Sequence, residues 1–177
     1  MDLLFKNFPY FISVYFSVSL KTAAFVFVVI FVLLYAVMRK RTTLTSTVFC
    51  SLYFTILIIV TLLNENRTGL SGIILNPFHG VYEIITKGNV HFLRGMISNI
   101  LLFIPFGIIL EIYFKINSSF FKTAILLGSS FLIELLQFIF CIGYFETGDI
   151  ICNFFGGIIG IIFVYLLKKN KLKFWRL

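Results

Sequence analysis

Apolar residues in this chain run in long blocks, and basic residues sit at the ends of several of them. The first block is Thr22 to Met38, closed by Arg39-Lys40-Arg41. Others follow at Thr43 to Leu63, Met96 to Phe114, Phe121 to Cys141 and Ile150 to Leu167. A bilayer's hydrocarbon core takes about 20 predominantly apolar residues of helix, within a range of about 17–25. Every block fits. Backbone polar groups in lipid must be satisfied within their own segment, so the blocks predict helices. The expected fold is all-α, a multi-pass membrane bundle of about five transmembrane helices in one domain, residues 1–177. A further apolar stretch, Phe8 to Leu20, precedes Lys21. It reads either as an interfacial helix, the preferred reading, or as the front of one long tilted helix with Lys21 snorkelling. Between the second and third blocks lies Asn64 to Gly95, which carries Asn-Arg-Thr-Gly, Asn-Pro and Lys-Gly-Asn turn signals. Its middle, Gly72 to Ile85, is partly apolar and suits a segment lying on the membrane surface.

Composition agrees with the pattern. Mean hydropathy is +1.05 and 12% of residues are charged, too few to cover a water-soluble domain. The 15 bases outnumber the 7 acids. Because the bases gather at block ends, they read as orientation signals and not as a nucleic-acid footprint. Placing Arg39, Lys40 and Arg41 inside also places Lys115, Lys122, Lys168, Lys169, Lys171, Lys173 and Arg176 inside, ten of the 15 bases. The long outer connection then holds Arg67, Lys87 and Arg94, and the outer turn Ile142 to Gly148 holds no base. This predicts the N-terminus out and the C-terminus in. The N-terminus has neither a basic n-region nor a small-x-small cleavage site and is expected to remain uncleaved. Cys50, Cys141 and Cys152 have no metal-ligand spacing. A Cys141–Cys152 bond is conceivable at the outer surface, although small apolar helix residues are the simpler reading. His79 and His91, twelve apart, make no metal site. No cofactor is expected.

Against this background, polar residues inside the blocks carry the information, because such groups are costly in a membrane. Glu134 lies seven residues before the end of the fourth block, roughly 10 Å deep at 1.5 Å per residue. Gln137 at i+3 and Ser130 at i−4 share its face. Asp149 and Asn153, at i and i+4, share a face of the fifth helix. Asn99 lies near the outer end of the third. Each has an ordinary explanation as packing glue, helix cap or protonated acid. Their common side and depth favour a shared outer-half cavity. An unpaired charge at such a depth costs about 2.5–3.5 kcal/mol on insertion scales, and Arg94 is the expected partner of Glu134. Pro105 should free the carbonyl of Leu101 and kink its helix. Gly156 and Gly160 form a G-x-x-x-G pair beside Gly157, and Gly107 follows Pro105; such small residues allow close helix approach.

At these residues the chain resembles the VanZ-like membrane proteins. The run Arg94-Gly-Met-Ile-Ser-Asn99-Ile-Leu-Leu-Phe-Ile-Pro105-Phe-Gly107 is similar to the family's first signature. Glu134-Leu-Leu-Gln137 is similar to its second, and Asp149-Ile-Ile-Cys-Asn153-Phe-Phe-Gly156-Gly157-Ile-Ile-Gly160 to its third. The resemblance covers residues 75–167. Many members carry an arginine after the glutamine signature and aspartates where Glu146 and Gly148 stand; here that turn is less charged. The resemblance implies a bacterial plasma-membrane protein that lowers susceptibility to teicoplanin-type lipoglycopeptides. It supplies no molecular activity. The leading expectation is non-enzymatic binding, with membrane lipids, a lipid-linked wall precursor or the lipoglycopeptide as partner. Arg94, Asn99, Glu134, Gln137, Asp149 and Asn153 would line the site. Two alternatives stay open. One is an intramembrane enzyme acting on a lipid or wall-precursor head group, with Glu134 or Asp149 as acid or base. The other is a small lipid transporter.

Overall fold

The computed structural model describes residues 20–38, 43–63, 72–114 and 118–174. The stretch before residue 20, and with it most of Phe8 to Leu20, lies outside them. The described residues form six α-helices and one small parallel ladder. In chain order these are α1 (Leu20–Met38), α2 (Leu44–Leu62), β1 (Ile73–Ile74), α3 (His79–Lys87), α4 (Val90–Ile109), α5 (Ser119–Ile139), β2 (Phe145–Glu146) and α6 (Thr147–Phe174). A π-helical turn, Leu110–Phe114, continues α4. Four segments are long and apolar enough to cross a membrane: Leu44–Leu62, Val90–Phe114, Ser119–Ile139 and Thr147–Lys169. Lys21–Val37 is a shorter apolar helix. The chain is therefore an all-helical membrane protein. Its exposed large side chains, such as Leu101, Phe131, Ile159 and Phe163, suit contact with lipid rather than water.

The residues fall into two compact units. One holds α1 and α2, with the turn Cys141–Gly143; the other holds the remaining elements. In the first, α1 and α2 pack on each other. Phe27, Phe31 and Tyr35 stack along α1 at successive centroid distances of 6.0 Å, the expected result of i, i+4 spacing. On α2 the hydroxyls of Thr47, Ser51 and Thr55 recur every fourth residue and are buried. Each donates to the carbonyl four residues earlier, at 3.2, 2.7 and 2.7 Å, so a polar stripe lies inside an apolar helix without lost hydrogen bonds.

The second unit is built on α4, α5 and α6. Gly156 and Gly160 of α6 face the carbonyls of Ile100 and Ile104 of α4, where an added Cβ would collide with them. Both pairs advance together by four residues, so α4 and α6 run parallel. Gly107 meets the carbonyl of Gly157 in the same way. Gly157 also faces the fully buried Leu126 of α5. One turn away Asn153 meets Ser130, which makes α5 antiparallel to α6. Helix starts differ from the block boundaries for local reasons. α4 begins at Val90, six residues before the apolar block, because Gly88 takes the left-handed conformation (φ 61°) that ends α3 and the Asn89 side chain caps the next helix. α5 stops at Ile139, before Cys141, which adopts φ 53°. α4 passes through Pro105 without leaving α-helical geometry, and the π-turn follows it.

At one end of this unit Glu111, on the π-turn, joins three helices. Its carboxylate pairs with Lys122 of α5, and with Lys168 of α6 at 2.9 Å. Glu111 and Lys122 are largely buried; Lys168 is half exposed. At the other end β1 and β2 pair in parallel, Ile73 with Phe145 and Ile74 with Glu146. Thr147 secures the ladder by donating its hydroxyl to the carbonyl of Leu75 at 2.9 Å.

Candidate functional site

α5 turns Ser130, Glu134 and Gln137 to one buried face, at 0%, 2% and 7% exposure. Their i, i+4, i+7 spacing is the reason they align. α6 brings Asn153, 3% exposed, against that face. The Asn153 amide Nδ2 donates to Ser130 Oγ at 2.8 Å. This bond lies next to the Gly157–Leu126 contact, so the missing side chain at Gly157 sets the helix separation that makes it possible. The other end of the amide, Oδ1, is buried with no hydrogen-bond partner among the described residues. One turn further along α5, Glu134 Oε2 accepts the backbone N–H of Glu146 at 3.0 Å. The chain thus delivers a main-chain donor to a buried carboxylate at the point where β2 enters α6. Phe145 fixes this strand by packing edge-on to Phe131, centroids 5.5 Å apart, while its N–H donates to the carbonyl of Gly72 at 2.8 Å.

Asp149 lies in the first turn of α6 and is half-buried. The neighbouring Glu146 carboxyl is pushed up to about 7, chiefly by its own burial and secondarily by the negative charge of Asp149. The result is a polar seam between α5, β2 and α6. It descends from Gln137 and Asp149 through Glu134 to the Ser130–Asn153 pair.

The residues singled out from the sequence do not all meet there. Arg94, in the second turn of α4, is half-buried and forms no ion pair with another described residue. The expected Arg94–Glu134 pair is absent, and the Glu146 amide occupies one oxygen of the carboxylate instead. Asn99 is half-buried on α4, two and a half turns from the helix start, because α4 begins at Val90, ahead of the apolar block. Cys50, Cys141 and Cys152 are free thiols. Among the described residues no group of three His, Cys, Asp or Glu side chains has metal-binding geometry; His79 instead stacks edge-on against Phe92 at 5.4 Å. Two features escaped the sequence reading. The Glu146 amide has no sequence signal, since every non-proline residue carries a backbone N–H. The Glu111 cluster had one, a lone acid inside an apolar block followed by a lysine block end, but those lysines were read only for orientation.

The fold and its seam define a small helical membrane protein in which amide, hydroxyl and carboxyl groups converge on one buried helix interface. The chain belongs to the VanZ/LLP1 family, whose model matches residues 50–168. It is similar to Protein VanZ of Enterococcus faecium, with 40% identity over 77 residues, 44% of this chain and 48% of that protein. The matched segment therefore spans about half the length of that relative. No solved structure gives a significant match.

Proposed function

We propose that this chain resides in a bacterial plasma membrane, N-terminus out and C-terminus in, and lowers its host's susceptibility to teicoplanin-type lipoglycopeptides. The seam between α5, β2 and α6 would act as an outer-leaflet site for the head group of an amphiphile: a membrane lipid, a lipid-linked wall precursor or the lipoglycopeptide. The observation that carries this reading is that the family match, residues 50–168, encloses the whole seam and Arg94. In this reading Arg94, without an ion pair among the described residues, receives an anionic group. Asn99, Gln137 and Asn153 orient the head, with Asn153 Oδ1 as the acceptor still open. Glu134 and Asp149 set the charge balance. Teicoplanin's acyl chain anchors it in the leaflet at about 0.8 kcal/mol per buried methylene, so an effect exercised within that leaflet falls hardest on the anchored drug.

The test is a dose series of teicoplanin and vancomycin in a susceptible Gram-positive host. It compares wild type, Arg94→Ala and Glu134→Gln at matched expression. The expected result is a larger rise in inhibitory concentration for teicoplanin, lost in both variants. Equal shifts for the two drugs, or variants indistinguishable from wild type, would remove the basis for a leaflet site.

A further inference from the structure

The short helix α3 is amphipathic in the inverted sense. It buries its acid while an apolar stripe stays exposed. Glu83 is 8% exposed, whereas Phe78, just before the helix, is 69% exposed, Tyr82 58% and Ile85 77%. These three occur at i, i+4 and i+7, a single helical stripe. The opposite face is turned toward α4: His79 stacks on Phe92, and a Cβ added at Gly80 would touch Phe92 and Met96. A helix resting on a protein and facing water would have these faces reversed.

Polar groups on and beside the outward stripe are satisfied locally. Thr86 returns its hydroxyl to the Tyr82 carbonyl at 2.6 Å, and Lys87 reaches back to Glu83 at 2.6 Å. Exposed apolar residues do not stop at α3. Ile73 and Leu75, which precede it in the chain, are 58% and 68% exposed, and Val90, Leu93 and Ile97 of α4, which follow it, are exposed as well. Those α4 residues belong to a segment long and apolar enough to cross a membrane, and exposed apolar side chains on such a segment suit contact with lipid.

We infer that the segment Ile73–Lys87 is a lipid-seated element. Phe78, Tyr82 and Ile85 enter the head-group/acyl boundary of the leaflet at the N-terminal ends of α4 and α6, and Lys87 stays at the water side. The partner is the lipid surface itself. The inference does not depend on the antibiotic reading. It seats the apolar middle of the connection between the second and third spans in the leaflet through three named side chains, Phe78, Tyr82 and Ile85. Since β1 of this segment pairs with β2, whose Glu146 amide holds Glu134, the leaflet bears through one short ladder on the polar seam.

Depth-dependent quenching tests it on the full chain in proteoliposomes. In a Trp175→Phe background, single tryptophans replace Phe78, Tyr82 or Ile85, with Ile97→Trp as the lipid-facing reference. Lipids brominated at the upper acyl carbons should quench all three to the same extent as the reference, and iodide in the buffer should leave them unchanged. Quenching by iodide without quenching by brominated lipid would put the stripe in water. Quenching by neither would put it under protein, a second copy or another partner. Either result overturns the inference. Tyr82→Trp exchanges one exposed aromatic for another, so it preserves packing if the other variants insert poorly.

Discussion

Asn153 has one amide end bonded to Ser130 and the other buried without a partner among the described residues. Leaving a buried polar group unmet costs about 1–3 kcal/mol, a cost that a head group bound in the proposed site would relieve. Glu146 is the other unusual residue. Its carboxyl is shifted from 4.5 up to about 7, first by burial and then by Asp149. A raised acid holds its proton more tightly in the folded chain than in the unfolded one. Its contribution to stability is therefore complete below about pH 4.5 and lost as pH rises through 7. Melting temperatures in micelles should fall between pH 5 and 8, and Glu146→Gln should flatten that slope; an unchanged slope would assign it to other groups. At this scale much was legible. The three- and four-residue spacings of Ser130, Glu134, Gln137, Asp149 and Asn153 gave their shared faces directly, because a helix fixes which side chains align. The bond between Glu134 and the Glu146 amide was not legible. Opposite charge suggested Arg94, but cross-helix pairing depends on helix rotation, and a backbone N–H from β2 had no letter to announce it.

Between elements, glycine decides how close the helices come. Gly156 and Gly160 place α6 directly on backbone carbonyls of α4, and backbone cannot swing away as a flexible side chain can. Gly160→Ala should cost about 1–3 kcal/mol, the usual range for overpacking. Gly128 of α5 has open space at its Cβ position, so Gly128→Ala should be neutral or stabilise by up to about 1 kcal/mol through helix propensity. Unfolding of both variants in mixed micelles measures the difference; equal effects would mean that the close approach is absent. The G-x-x-x-G spacing was visible in the sequence, but its partner helix was not, since small residues specify closeness and not identity. The five long helices were legible from apolar length and the short α3 (His79–Lys87) was not, while boundaries moved wherever a cap such as Asn89 or a left-handed residue such as Cys141 overrode hydropathy.

For the whole molecule, the base distribution is the ground for the proposed orientation. Cysteines placed singly at Asn66 and Thr147, in a chain lacking Cys50, Cys141 and Cys152, should react with an impermeant thiol reagent on intact cells. One at Asn170 should react only after permeabilisation. Labelling of Asn170 on intact cells would reverse the proposed orientation and remove the outer-leaflet site. Within the second unit, the two ends are fastened unequally. At one end a single carboxylate, Glu111, grips α5 through Lys122 and α6 through Lys168; removing one partner of such a largely buried pair costs about 3–5 kcal/mol. At the other end a two-residue ladder joins β1 to β2. A tripod bolted at its apex can spread only at its feet. Any splaying of α4, α5 and α6 is thereby directed away from Glu111 and toward the end that carries the β1–β2 ladder and Glu134.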